Sequence, residues 1–487
     1  PISEDFGIGV KRRLGDQIMR DIRRDADYLD DPLLLEYLNT LWSPLVQRSR
    51  SLGNIDADID QRFAWEAFLV RDRSVNAFAL PGGFVGVHLG LIALTSTHDE
   101  LGAVLAHELS HVTQRHIARG ITNSKRQTLL GTAAMILGVL AASRAGNADV
   151  ANAAIAGGQA AAIQGQLNFS RDMEREADRV GYAVLSGAGF AQGGMASMFE
   201  KLEQSSRLND SGGFPYLRSH PLTTERIGEA RQRAGVDAGT ARASAGGLEH
   251  SLAQARARVL MDNRSDSLRR WQASDVATGS GPLSERLVAA AQSALASTML
   301  RDWARADASL QRATALLRSS PVPDPRAERA LAFLATQSLL ERGQAAQATA
   351  LFKPYAGDGS RPAVLLGARL ALATAPPESA ANDAALKFSA EELQTRVAAQ
   401  PQDALSWYTL SQVWARVGQP LRALRADAES RYAQGDLPGA LDRLRAGQRL
   451  ARGGAQVDFI EASVIDARLR DIEAQRKLQV EEERKGS

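Results

Sequence analysis

The chain has 487 residues, which is enough for two or three domains with cores of their own. Lys and Arg number 58 against 56 Asp and Glu, and this balance argues against a nucleic-acid partner. There is no cysteine, so disulfides, thiolate metal ligands and thiol nucleophiles are excluded. The first residues, PISEDFGIGVKRRLG, lack the two regions of a signal peptide, so we expect that any such peptide has been removed or never existed.

The N-terminal part of the chain predicts helices followed by a small sheet. Apolar residues spaced three and four apart predict helices between about residues 5 and 50. Three later segments, RFAWEAFLV, VNAFAL and GFVGVHL, predict strands, and Pro81-Gly82-Gly83 breaks the last two. We therefore expect a small antiparallel sheet beside the helix that follows.

That next helix carries the most informative motif, His107-Glu108-Leu109-Ser110-His111. The two histidines are one helical turn apart, so both can bind one Zn²⁺, and Glu108 is placed to take a proton from water at the metal. Thr97 and Glu100 form a capping-box pattern at the helix start. The alternative is an amphipathic helix with two incidental histidines. His116, five residues past the motif, is expected to point away from the metal.

An apolar run at 127–142 follows, flanked by basic residues. It is short for a membrane span, which needs roughly 20 apolar residues. We expect either a helical hairpin that packs near the active site or rests on a membrane surface, or a buried core helix.

The segment RDMEREADRVGYAVL supplies candidates for a third metal ligand. A catalytic zinc site has three protein ligands, and the two histidines supply only two of them. Glu174 and Asp178 share one face of the predicted helix. Glu174 is the candidate ligand, and Asp178 is expected to orient a ligating imidazole. Glu176 points elsewhere and is the weaker candidate; a solvated charged face is the alternative for the whole segment.

The C-terminal half changes character. A weak boundary rich in small residues lies at 235–285, where His250 falls in a presumed linker. Beyond it, Gly418 and Gly435 each precede an Ala-Leu pair and are seventeen residues apart, which is half a tetratricopeptide period. Gly343 precedes Ala348 by five residues, which is also the distance from Gly418 and Gly435 to the alanine of each pair. We predict a zinc metalloprotease domain at 1–255, a linker at 256–283 and an all-α tetratricopeptide-like domain at 284–487.

The HExxH helix followed by Glu174-Arg175-Glu176-Ala177-Asp178 resembles the zincin family of the CAAX prenyl-proteases and the HtpX heat-shock protease. The stretches around Asn76-Ala77-Phe78 and FPYLRSHPLTTERIGEARQ resemble the same family. The likeness covers the first half well, and the helical repeats resemble its soluble periplasmic branch. The fold class expected is therefore an α+β zincin domain followed by an all-α helical-repeat domain.

The resemblance implies a role for each motif residue. His107, His111 and Glu174 would bind one Zn²⁺, Glu108 would be the general base, and Asp178 would support a ligand. His220 matches a position that can occupy the fourth site of the zinc, which would make the resting enzyme autoinhibited; an ordinary loop histidine is the alternative.

Two further roles concern the substrate. Arg226 matches an arginine near the family's site, where it would hold an oxyanion or only pair with Asp178. In zincins an edge strand binds an extended substrate. We take LPGGFVGV as that edge, with Asn76, Gly82 and Gly83 as substrate-binding residues; a plain core hairpin is the alternative.

The function expected is a zinc endopeptidase of the Gram-negative periplasm, acting on misassembled outer-membrane proteins with the β-barrel assembly machinery as partner. Location, substrates and partner are implied by the resemblance alone. One alternative is a helical-repeat chaperone or binding module in which proteolysis is secondary. Another is a structural zinc protein without activity.

Overall fold

A computed structural model gives the structure of the chain and describes residues 8–116, 170–208, 214–235, 247–277, 281–376, 380, 383–453 and 458–486. The apolar run at 127–142 lies outside the described residues. Within the described part, no helix is both long and apolar enough to cross a membrane. The chain forms two compact units, Pro1–Leu331 and Ala332–Ser487.

The first unit begins with the predicted helices and a four-stranded sheet. Its first elements are α1 (Ile8–Arg24), β1 (Tyr28–Leu29), α2 (Pro32–Ser51), α3 (Ala57–Arg62), β2 (Glu66–Val70), β3 (Ala77–Leu80), β4 (Phe84–His88), α4 (Leu89–Leu94) and α5 (His98–Thr113). The described helices that follow are α6 (Arg171–Gly187), α7 (Gly194–Leu208), α8 (Pro215–Ser219), α9 (Thr224–Ala234), α10 (Gly247–Leu260), α11 (Ser265–Ala277), α12 (Leu283–Met299) and α13 (Trp303–Arg318).

The sheet has the strand order β1-β2-β4-β3 and is mixed. β2 pairs with β4 in parallel, with Glu66 opposite Phe84, whereas β3 pairs with β4 antiparallel, with Ala77 opposite Val87. The prediction of an antiparallel sheet was therefore wrong for the central pair. Strand direction depends on which distant segments pair, and this is not readable from alternation within one strand.

The edge strand was also predicted wrongly. LPGGFVGV contributes β4, which lies between β2 and β3 and is buried along its whole length. The edge strands are β1 and β3, and Val75 and Asn76 lie just before the start of β3. A buried central strand and an edge strand both give short apolar runs, so the sequence pattern could not separate them.

α5 is the central helix of this unit, and every residue from Asp99 to Thr113 is buried. One of the two hydrogen bonds of the predicted capping box is present, since Thr97 Oγ1 accepts from the Glu100 amide at 3.2 Å. The Glu100 carboxylate instead accepts from the Ser96 amide and from Lys201 Nζ, both at 2.6 Å. The helix that carries the HExxH motif is therefore anchored at its start and enclosed by α2, the sheet, α6 and α7.

The segment around His250 is part of the first unit's core. α10 packs on α2 and α4, and the His250 side chain is 0% exposed. Its Nε2 bonds the Thr95 carbonyl at 3.1 Å, and its Nδ1 lies 2.5 Å from the Tyr37 hydroxyl. The interpretation of His250 as a linker residue was therefore wrong. The small residues around it in the sequence gave no sign that it would be buried.

The described residues of the second unit form helices joined by short turns, without a strand among them. The boundary falls within α14 (Pro325–Glu341), and the later helices are α15 (Ala345–Phe352), α16 (Arg361–Thr374), α17 (Ala384–Ala399), α18 (Ala404–Arg416), α19 (Pro420–Ala433), α20 (Leu437–Gly453) and α21 (Phe459–Gly486). The fold class, an α+β zincin domain followed by a helical-repeat region, is confirmed. The division at residue 331 differs from the predicted boundaries at 255 and 283, which stay a prediction.

The glycines of the predicted repeat lie between consecutive helices. Gly418 and Gly435 have φ angles of +76° and +81°, and Gly343 has +79°. Each lies two residues after the last residue of a helix, and a left-handed residue at that place ends a helix while satisfying its last carbonyls. The seventeen-residue spacing therefore corresponds to one helix plus one turn, as predicted.

Candidate metal centre

α5 and α6 supply the predicted ligands. The Nε2 atoms of His107 and His111 lie 2.9 Å apart, since one helical turn separates the residues. Glu174, in the first turn of α6, places Oε2 3.4 Å from His107 Nε2 and Oε1 3.3 Å from His111 Nε2. All three side chains are at most 2% exposed. The structure therefore brings the two histidines and the glutamate to one point.

His220 joins this group from the end of α8. Its Nδ1 lies 3.0 Å from Glu174 Oε1 and 3.3 Å from His107 Nε2. Tyr216 stacks on the His220 ring with centroids 4.7 Å apart. One ligand atom from each of His107, His111, Glu174 and His220 lies within 4.8 Å of the others. His220 is thus placed as the sequence predicted for a fourth ligand.

Asp178 and Arg226 lie behind His107. Asp178 Oδ1 is 2.9 Å from His107 Nδ1, and Arg226 binds Asp178 through two hydrogen bonds of 2.7 and 2.9 Å. The Arg226 guanidinium also reaches Glu174 Oε2 at 2.9 Å. Burial alone would raise the pKa of Asp178, but Arg226 and His107 hold that pKa at about 2. These contacts favour the pairing role of Arg226; its oxyanion role stays a prediction.

Glu108 faces the ligand group from the same helix. The residue is 0% exposed, neither carboxylate oxygen accepts a well-aligned hydrogen bond from the described residues, and the side chain of Tyr216 is near enough to lower its pKa. Its Oε1 lies 3.5 Å from His220 Nε2. Burial raises the pKa of Glu108 above its usual range, and the neighbouring His220 and His107 oppose that rise. A buried carboxylate without a firm partner is suited to accept a proton.

The donor set fits a divalent metal ion. Three imidazoles and one carboxylate are ligands that Zn²⁺ accepts in tetrahedral sites. The carboxylates also demand positive charge: burial lowers the pKa of His107, yet Glu174 and Asp178 raise it to about 10. Burial would raise the pKa of Glu174, whereas His220 and His107 hold it far below its usual range. A cation bound by the four ligand atoms would balance the negative charge of these carboxylates, which a proton on His107 balances otherwise.

The sequence missed one pair of residues at this site. As predicted, His116 stays outside the ligand group. It is nevertheless fully buried, and its Nδ1 lies 2.9 Å from His111 Nδ1. Its Nε2 lies 3.0 Å from Glu176 Oε2. Arg115, with a φ of +55°, turns the chain back after α5, and only its place just after the helix signals such a turn.

The proposed substrate-binding residues lie at the two ends of β3. The Asn76 carbonyl accepts a hydrogen bond from the His88 amide, and the neighbouring Val75 carbonyl accepts one from the Tyr216 amide at 3.2 Å. This end of the strand is therefore tied to the residue that stacks on His220. The carbonyls of Gly82 and Gly83, at the other end, accept hydrogen bonds from the amides of Ala64 and Glu66.

An HExxH helix whose histidines meet a glutamate from a second buried helix defines a metallopeptidase site. The sequence model of Peptidase family M48 matches residues 48–234, so this part of the chain is a domain of that family. The family predicted from the motifs is thereby confirmed.

Curated relatives extend the comparison. The beta-barrel assembly-enhancing protease of Escherichia coli K12 is 35% identical over 232 residues, which are 47% of this chain and 45% of that protein. The protein of the same name from Yersinia pestis is 37% identical with the same coverage. Mitochondrial metalloendopeptidase OMA1 of Saccharomyces cerevisiae is 27% identical over 201 residues, 40% of this chain and 54% of that protein. The matches therefore span about half the length of these relatives.

Proposed function

We propose that the chain is a zinc-dependent endopeptidase that binds one Zn²⁺ through His107, His111 and Glu174 and uses Glu108 as general base. The observation that carries this proposal is the fully buried carboxylate of Glu108, 3.5 Å from His220 and beside the four ligand atoms. A purely structural metal site has no need for such a group, because burying an ionisable carboxylate that is not a metal ligand costs stability.

The mechanism divides the work among residues of two helices. Bound zinc would polarise the water and the scissile carbonyl. Glu108 accepts the proton of the attacking water and returns it to the leaving amine. Asp178 holds the hydrogen on His107 Nδ1, so that the Nε2 lone pair faces the ligand group. Arg226 keeps Asp178 and Glu174 in place.

His220 restrains this site. Its Nδ1 stands among the ligand atoms and its Nε2 lies 3.5 Å from Glu108, where the attacking water must bind. A fourth protein ligand closes a catalytic metal site. We therefore assign His220 an autoinhibitory role, relieved when α8 moves away from α5.

The substrate is a polypeptide that adds to the free edge of β3. An extended segment there would run along β3 between Asn76 and the Gly82-Gly83 turn, and it would bond the main-chain groups of β3 that face away from β4. The Val75 end of this strand is bonded to Tyr216, so a peptide on β3 runs toward His220 and the ligand group.

The biological setting follows from the names of the relatives. We propose that the protein acts in outer-membrane protein quality control in the periplasm of a Gram-negative bacterium, on misassembled outer-membrane proteins and together with the β-barrel assembly machinery. The helical second unit supports recognition of such polypeptides, because stacked helices form extended binding surfaces. The second candidate, a binding module with secondary proteolysis, rests on the same helices.

The test compares the wild type with His220→Ala, and His250→Ala serves as the control for losing a buried histidine elsewhere in the first unit. We expect all three to bind one zinc, and His220→Ala to cleave casein or an unfolded barrel protein faster than wild type. If zinc binds but neither wild type nor His220→Ala cleaves any substrate, the binding-module function is favoured. If His220→Ala cleaves no faster than wild type, the autoinhibitory role is wrong.

A further inference from the structure

His116 is placed against the back of a ligand. The chain leaves α5 through Arg115, whose left-handed conformation returns the next side chain toward the helix. The His116 ring therefore packs on the His111 ring, with centroids 4.9 Å apart and the two Nδ1 atoms 2.9 Å apart. The contact lies on the side of His111 opposite its Nε2, which faces the ligand group.

The hydrogen positions along this chain of contacts are constrained. An ionised carboxylate only accepts hydrogen bonds, so the 3.0 Å contact with Glu176 requires a hydrogen on His116 Nε2. In a neutral imidazole the other nitrogen, Nδ1, then accepts. The hydrogen between the two Nδ1 atoms must therefore belong to His111, and this leaves the Nε2 of His111 with a lone pair.

The opposite assignment is incompatible with metal binding. If His116 carried hydrogens on both nitrogens, His111 Nδ1 would have to accept, and its own hydrogen would lie on Nε2. That nitrogen would then have no lone pair for a metal. His111 can therefore bind a metal through Nε2 only if its Nδ1 donates to His116 Nδ1 and His116 Nε2 donates to Glu176.

His107 has a comparable support on its own far side. Its Nδ1 is 2.9 Å from Asp178, a carboxylate held by Arg226. The two proposed ligand histidines of α5 thus each have a carboxylate on the far side of the ring from the ligand group. The charge of Asp178 favours a hydrogen on His107 Nδ1 directly, whereas Glu176 acts on His111 through a second imidazole.

We infer that His116 and Glu176 are positioning residues that hold His111 in the tautomer whose Nε2 lone pair faces the metal. This inference rests on the proposed metal site. Partners of this kind typically change metal affinity by roughly 10–100-fold when they are removed. Neither residue belongs to the group of four ligand atoms, and both act through His111.

The experiment measures the zinc dissociation constant by competition with a chelator for wild type, His116→Phe, Glu176→Leu and Glu176→Gln. Phe keeps a ring in the buried space without an acceptor, whereas Gln keeps an acceptor for His116 Nε2. The control is His250→Gln, a substitution at an equally buried, hydrogen-bonded histidine of the first unit. Selective ¹⁵N-histidine spectra report the tautomer of His111, and urea unfolding shows whether each variant is folded.

We expect His116→Phe and Glu176→Leu to weaken zinc binding by about 10-fold or more, and Glu176→Gln to weaken it less. His250→Gln should retain the wild-type zinc affinity even if its unfolding midpoint falls. In wild type the hydrogen of His111 should lie on Nδ1, with or without zinc. The inference is overturned if His116→Phe binds zinc as tightly as wild type or if His111 carries its hydrogen on Nε2. A wild type that binds no zinc would refute the proposed function, while the metal-free spectrum would still test the tautomer.

Discussion

Gly181 lies directly against His107: a Cβ atom at position 181 would be 3.2 Å from the His107 amide nitrogen and from the backbone of Ala106. This contact sets the distance between α6, which carries Glu174, and α5, which carries the two histidines. A side chain here meets backbone that cannot rotate away. Glu174, the proposed third ligand, therefore reaches His107 and His111 because the two helices approach closely at a glycine.

Gly181→Ala is expected to push α6 away from α5 and to reduce zinc affinity. Overpacking of this kind costs about 1–3 kcal/mol of unfolding free energy. The matched control is Gly228→Ala, because a Cβ at that helical position meets nothing within 4 Å. Urea unfolding and zinc competition measure both effects. Equal results for the two variants would contradict the role given to Gly181.

Arg226→Lys tests the ion pair behind His107. Lysine keeps the charge but loses the two-pronged contact with Asp178, so we expect weaker zinc binding and a lower free energy of unfolding. Complete loss of one partner of such a buried pair costs about 3–5 kcal/mol, so Arg226→Lys should lower the free energy of unfolding by less than this. Arg231→Lys on the same helix is the control, because its pair with Glu200 is exposed and should change stability by less than about 1 kcal/mol. An unaltered zinc affinity in Arg226→Lys would refute this role.

Much of the centre was predictable from spacing alone. His107, Glu108 and His111 follow from one helical turn, and Glu174 and Asp178 from a shared helix face, because these relations are local. The support of His111 was not predictable: it depends on the backbone turn at Arg115 and on Glu176 from a helix distant in sequence. Glu176 was therefore judged only as a ligand candidate and given no other role.

The fold shows the same limit. The helices and strand segments of the first unit follow from apolar periodicity. The parallel pairing of β2 with β4 and the edge position of β3 depend on contacts between separate segments. His250 is the clearest case, because the residues around it are small and polar, whereas its hydrogen-bond partners Tyr37 and Thr95 are more than 150 residues away in sequence.

His250 predicts a pH dependence of stability. Burial lowers its pKa to about 4, against a small opposing effect of the Thr95 carbonyl, while the unfolded chain has the usual value of about 6.5. Between these values the unfolded state binds more protons, so stability falls as pH falls from about 6.5 toward 4. We expect His250 alone to remove about 2 kcal/mol of unfolding free energy between pH 7.5 and 5.

The measurement is the unfolding free energy of wild type and His250→Gln across that pH range at one fixed zinc concentration. The variant should be less stable at pH 7.5 and should lose less stability on acidification. His88, whose burial also lowers its pKa to about 4, titrates in both proteins and cancels in the comparison. Parallel curves for the two proteins would show that His250 is not the source.

Gly418→Ala tests the turns of the helical second unit. The φ of +76° disfavours any side chain, whereas a Cβ at that position meets no atom within 4 Å, so the cost is backbone strain alone. We expect a loss of about 1–2 kcal/mol in unfolding free energy. Gly357→Ala, at an equally open position without a positive φ, is the control and should be nearly neutral. Equal destabilisation by both variants would contradict the assigned turn.

The most direct test of the central claim is zinc content together with peptide cleavage for wild type and Glu108→Gln, each measured also after chelation. Gln keeps the size of the buried side chain but cannot accept the proton of the attacking water. We predict one bound zinc in both proteins, zinc-dependent cleavage by wild type and its loss in Glu108→Gln. Cleavage by Glu108→Gln at the wild-type rate, or a wild type that binds no zinc, would contradict the proposed enzyme.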